Sequence, residues 1–135
     1  MKKAIALLLA LVMVFALCAC GGGDKGTADN GEKVVKIGVF EPASGDSGAG
    51  GKKEMLGMQY ANQETPTVEI GGETYKVELV YSDNGSDSAK AVSAASKLVN
   101  EKVSLVLGSY GSGVSIAASD TFKQAGIPAI GVTCT

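Results

Sequence analysis

Three loop stretches carry the hydroxyl groups with which this chain could hold a small polar ligand. They are Ala43-Ser44-Gly45-Asp46-Ser47-Gly48-Ala49-Gly50-Gly51, Ser109-Tyr110-Gly111-Ser112-Gly113 and Thr133-Cys134-Thr135. Hydroxyls beside unpaired backbone N–H groups receive carboxylates well, above all at a helix N-terminus. The same residue types also make plain turns and capping serines. None of the stretches has the spacing a nucleotide needs. In GxxxxGK[ST] counted back from Gly51-Lys52, the first glycine falls on Asp46 and the hydroxyl on Lys53. Gly108-Ser109-Tyr110-Gly111-Ser112-Gly113 misses the GxGxxG spacing. Ser112 as a nucleophile has no evident base, because the chain contains no histidine. Asp83 and Asp87 read either as an acid pair or, more economically, as a strand-to-helix turn capped by Asp87. Tyr110 is either a ligand wall or a packed loop aromatic.

Composition narrows the field. The chain has 135 residues, room for one domain or part of one. Lys and Arg total 12 against 14 Asp and Glu, for a net charge of −2. That balance argues against a nucleic-acid partner. Without His, and with three Cys, the usual triads and zinc sets are out of reach, so an enzyme, a metal and a cofactor are not expected.

The elements that position the three stretches follow from periodicity. Val34 to Phe40 is apolar and β-branched apart from Lys36 and Gly38, as in a buried parallel strand. Gly45, Gly48, Gly50 and Gly51 then read as a loop. Lys52 to Glu64 follows as a helix, with Met55, Leu56, Gln59, Tyr60 and Gln63 at helical spacing. Thr67–Ile70 and Glu73–Tyr81 alternate around Gly71-Gly72 as a hairpin. Asp87 caps a helix over Ser88 to Glu101 with the stripe Ala91, Val92, Ala95, Leu98 and Val99. Val103 to Leu107 is a short strand, Val114 to Ala125 a third helix closed by Gly126, and Ile127 to Val132 the last strand. Strands alternating with helices give the α/β class: a parallel sheet, counted as four strands and three helices, with helices on both faces. Ligands of such sheets bind beyond the carboxyl ends of the strands, where all three stretches fall. No helix is foreseen to cover the last strand, so apolar area beside it is expected to stay uncovered.

Ahead of this body, Met1-Lys2-Lys3 and the apolar run Ala4 to Ala19 form a cationic head and an h-region of 16 residues, short of the roughly 20 that span a bilayer. Leu17-Cys18-Ala19-Cys20-Gly21 resembles a bacterial lipobox, which implies cleavage before Cys20 and acylation of its sulfur, residues 1–19 being the lipoprotein signal. The alternative is an ordinary signal peptide or a short membrane anchor. Residues 20–33 are glycine-rich and polar, too poor in apolar residues to fold, and read as a tether.

Finally, IGVFEPASG at 37–45, VYSDNGSDSAKAVSAASKLVNEKVSLVLGSYGSG at 80–113 and SIAASDTFKQAGIPAI at 115–130 resemble type 1 periplasmic binding proteins. Within that family the likeness is greatest to the leucine/isoleucine/valine-binding receptors of ABC importers. The resemblance implies that residues 34–135 are an incomplete N-terminal lobe, Rossmann-like, of a two-lobed receptor. It further implies a small amino-acid-like ligand of the branched-chain type, an ABC permease as partner, an extracytoplasmic location at the bacterial membrane through the lipid on Cys20, and a monomer. Carried over residue by residue, the loop after the third strand supplies Tyr110, Gly111 and Ser112, and the loop after the fourth supplies Thr133 and Thr135. Ser112 then meets the ligand carboxylate and Thr135 its ammonium. Gly50 stands where relatives often have an aromatic. A ligand sensor of the same fold that regulates a membrane signalling partner is the alternative.

Overall fold

A computed structural model describes residues 31–134. Cys20, Thr135 and the segments assigned to signal and most of the tether lie outside these residues. Five strands form one sheet in the order β2-β3-β1-β4-β5: β1 Val34–Glu41, β2 Thr67–Ile70, β3 Glu73–Asp83, β4 Leu105–Leu107 and β5 Ala129–Ile130. β1 lies parallel to both β3, with Val35 opposite Val77, and β4, with Gly38 opposite Val106. β5 continues the parallel set through Val106 opposite Ala129. β2 alone runs antiparallel, paired with β3 around Gly71-Gly72. Counting both arms of that hairpin raises the expected four strands to five.

Three helices connect the strands: α1 Gly48–Glu64, α2 Ser88–Asn100 and α3 Ser112–Gln124. Strand alternation sends Phe40, Val80 and Val106 to one face, where they pack with Ala91, Ala95, Leu98, Val114, Ala118 and Phe122 of α2 and α3. Phe40 and Phe122 meet edge to face, with ring centroids 5.5 Å apart. Each fully buried side chain of the size of Leu98 or Phe40 contributes on the order of 2 kcal/mol from burial. The opposite face carries Val35, Ile37, Val77, Leu79, Leu105 and Leu107 and is covered by α1 only in part.

The expected loop at Gly48–Gly51 is the first turn of α1, in which Gly48 and Gly51 are buried. Glycines read as breakers because of their conformational freedom, yet here small size lets the helix start press close to its neighbours. The helix expected from Lys52 to Glu64 is present within α1, but its largest apolar residues do not all face inward. Leu56 and Tyr60 are 63% and 65% exposed, while Glu54 and Met58 turn toward the sheet. In α2 the expected stripe holds at Ala91, Ala95 and Leu98, but Val92 faces solvent and Ala94 is buried instead. The strands after α2 and α3 are shorter than expected, three and two residues.

Candidate functional site

Parallel pairing brings the carboxyl ends of β1, β3, β4 and β5 to one rim, and the loops leaving them are tied together by buried polar groups. Asn84, fully buried after β3, donates from Nδ2 to the Phe40 carbonyl at 3.2 Å and to Ser109 Oγ at 2.9 Å. Its Oδ1 accepts from Ser86 N–H at 3.1 Å. One amide thus joins the loops after β1, β3 and β4. Asp83 joins the first two again: its carboxylate accepts from Ala43 N–H at 2.8 Å, Ser44 N–H at 3.3 Å, Ser44 Oγ at 2.7 Å and Gly85 N–H at 2.8 Å. Desolvation acts upward on this carboxyl, but the hydrogen bonds from Ser44, Gly85 and Ala43 together hold it below its ordinary value. Asp87 is not part of an acid pair with it. Its Oδ1 accepts from Ala89 N–H at 2.8 Å as the N-cap of α2.

The loop after β4 rests on Glu41. This carboxyl is 1% exposed at the end of β1, and its Oε2 accepts from Tyr110 N–H at 2.7 Å. Burial pushes it up to about 8 against the lowering effect of the Tyr110 N–H, and the neighbouring Glu54 carboxyl of α1 raises it further. Gly108 makes this contact possible. Its φ of +117° suits glycine, and a β-carbon there would lie 2.6 Å from Glu41 Oε1. Ser115 completes the loop from inside α3, its Oγ accepting from Ser109 N–H at 3.2 Å and donating to the Gly111 carbonyl at 3.4 Å.

The residues expected to meet a ligand are distributed on this framework. Gly111 occupies the N-cap position of α3 with φ +115°, and Ser112 is the first residue of the helix, half-buried. The α3 N-terminus therefore faces the rim with its partial positive charge. Tyr110 is 40% exposed. A β-carbon on Gly50 would lie 2.7 Å from the Tyr110 ring, so the absent side chain of α1 makes room for the aromatic of the next loop. Thr133 is exposed just after β5. β5 leaves the sheet beside β4, with Gly108 N–H donating to the Ile130 carbonyl at 3.0 Å. Gly131 and Cys134 border a cavity of about 430 Å³ together with Phe40, Gly108, Ser115 and Phe122. Tyr110, Gly111, Ser112, Gly50 and Thr133 thus share one rim.

Glu41, Asn84 and Ser115 were not singled out from sequence. The one signal available was an acidic residue inside an otherwise apolar strand end, Val39-Phe40-Glu41-Pro42. Among the described residues no group of three Cys, Asp or Glu is placed to hold a metal, and no helix is long and apolar enough to cross a membrane.

The mostly parallel sheet thus carries hydroxyl-bearing loops and a helix N-terminus at the rim where open α/β sheets receive ligands. Residues 34–135 match the family model described as periplasmic binding protein, and the chain belongs to that family. It is 33% identical over 116 residues to Leu/Ile/Val-binding protein homolog 2 of Brucella abortus, covering 86% of this chain and 29% of that protein. Among solved structures, the leucine-binding protein LivK of Thermotoga maritima is 34% identical, with a TM-score of 0.69 over 76% of this chain and 28% of LivK. The branched-chain amino acid transporter substrate-binding protein LivJ of Streptococcus pneumoniae, in complex with isoleucine, is likewise 34% identical, with a TM-score of 0.67 over 76% of this chain and 30% of LivJ. The fold is that of type 1 periplasmic binding proteins, and these relatives are binding proteins rather than enzymes. The chain spans under a third of their length.

Proposed function

We propose that this chain forms part of the ligand-binding lobe of an extracytoplasmic solute receptor for an ABC importer, taking a small amino acid of the branched-chain type. The loop Tyr110-Gly111-Ser112 receives the carboxylate at the N-terminus of α3, and Thr133 and Thr135 meet the ammonium from the neighbouring loop. Tyr110, seated over Gly50, walls the side-chain pocket. Cys20 carries the lipid that holds the receptor at the membrane, and a monomer delivers solute to the permease.

One observation above all supports this reading: β4 and β5 run parallel and adjacent, so the loops that follow them open on the same edge of the sheet. The leucine- and isoleucine-binding relatives lend it the ligand class. Capture works by closure, because a ligand touching two lobes favours the closed state by its extra contacts there. The chain by itself offers one set of those contacts. Calorimetric titration with leucine, isoleucine and valine is therefore expected to give no saturable heat at low millimolar ligand, whereas the protein of the full reading frame binds at micromolar concentration or tighter. In that protein Ser112→Ala removes a charge-assisted hydrogen bond and weakens binding roughly 10- to 100-fold. Unchanged affinity in Ser112→Ala would contradict the assignment.

A further inference from the structure

Glu41 and Glu54 face each other between the end of β1 and the second turn of α1, both as acceptors. Glu41 Oε2 takes the Tyr110 N–H, but its Oε1 and both carboxylate oxygens of Glu54 are buried with no hydrogen-bond partner. Two ionised carboxylates do not persist in such a place, since each is costly to desolvate and they repel one another. One proton between them supplies the missing donor and removes the repulsion, as in other paired carboxyls. The other charged groups facing the pair do not take its place. Asp83, opposite Glu41 in the sheet register, has its carboxylate engaged by Ala43, Ser44 and Gly85. The loop Gly108–Gly113 brings no ionisable side chain but the Tyr110 phenol.

We propose that Glu41 is the positioning residue of the ligand loop, holding Tyr110 through its backbone N–H, and that it does so as half of a carboxyl pair with Glu54 that keeps one proton. The pair couples α1, which carries Gly50, to the loop that carries Tyr110, so the two walls of the proposed pocket are set together. The proposal deepens the reading of Tyr110–Ser112 as ligand loop and rests on it for its functional meaning, but its test needs no ligand. When the shared proton leaves, two buried charges push α1 and the loop apart and the Tyr110 N–H is released.

The measurement is amide hydrogen exchange by mass spectrometry on the whole chain at low micromolar concentration, followed in peptides covering Gly108–Ser112 and corrected for the intrinsic pH dependence. In the wild type, protection of this peptide is expected to fall at least tenfold as pH rises from 7 to 9.5, while peptides from the α2 core hold. Glu41→Gln accepts from Tyr110 and donates to Glu54, so it keeps the protection and loses the pH dependence. Glu54→Gln donates to Glu41 and does the same. Glu41→Ala loses the protection at every pH with the α2 peptides intact. Protection in Glu41→Ala equal to wild type overturns the positioning role. A pH response in Glu41→Gln and Glu54→Gln equal to wild type overturns the shared proton. Unchanged affinity of Ser112→Ala in the protein of the full reading frame, with the exchange behaviour as expected, overturns the ligand-loop reading alone; weakened affinity there with a wild-type pH response in both glutamine variants overturns the shared proton alone.

Discussion

At the scale of single residues the rim is built from polar groups that water does not reach, and this gives it a measurable pH signature. Glu41 ionises near 4.5 when unperturbed and near 8 in the fold. Between those values the unfolded chain releases a proton that the folded chain keeps, so stability falls as pH rises through the window and levels off above it. The size is on the order of a few kcal/mol. Asp83 works in the opposite sense: its lowered value adds stability at neutral pH that is lost as pH falls. Chemical denaturation at a series of pH values is expected to show the wild type losing stability from pH 5 to 8 and Glu41→Gln losing that slope. A flat wild-type profile would contradict the burial of an isolated carboxyl pair. Gly50→Ala is expected to displace the Tyr110 ring, which a β-carbon would approach to 2.7 Å, and so to change affinity among leucine, isoleucine and valine with little loss of stability. Sequence exposes the hydroxyls of Ser112 and Thr133 but not Glu41 or Asn84. A glutamate at a strand end is ordinarily solvated, and its burial here depends on the approach of α1 and the Gly108 loop, which no local pattern encodes.

Helices differ in how far their pattern predicts their packing. α2 is legible because Ala91, Ala95 and Leu98 repeat on one face and Asp87 supplies a cap that the structure bears out at Ala89 N–H. Asp87→Ala is expected to cost about 1 kcal/mol. Leu98→Ala, at a fully buried position, is expected to cost about 2–5 kcal/mol, both read from denaturant midpoints. α1 misleads for a physical reason: its inner face carries Gly51, Glu54 and Met58, chosen for close approach and for the contact with Glu41, while Leu56 and Tyr60 point outward. β4 and β5 are shorter than their apolar runs because Val103 lies in the α2–β4 turn, its N–H donating to the Leu98 carbonyl at 3.4 Å, and Ile127 caps α3 through the Phe122 carbonyl at 3.0 Å.

Among the described residues, one face of the sheet is packed by α2 and α3 and the other is covered by α1 only in part. Between α1 and the sheet lies an apolar groove of about 610 Å³ lined by Val35, Ile37, Leu105, Leu107 and Val132, and Ile130 and Val132 beside it are 52% and 42% exposed. Exposed apolar surface of this kind promotes association, so sedimentation velocity is expected to show self-association of the chain that grows with concentration. A single monomeric species at all concentrations would contradict this. For the tether, Cys20→Ser is expected to move the protein from the membrane fraction to the soluble one when expressed with its leader, and an unchanged distribution would count against acylation. The central claim, that the loops after β4 and β5 together grip a zwitterion, is tested most directly by a crystal structure of the protein of the full reading frame with isoleucine. The account predicts the carboxylate within about 3 Å of Ser112 Oγ and the α3 N-terminus, with the ammonium at the threonines after β5. Isoleucine seated in the α1 groove, or touching neither loop, would contradict it.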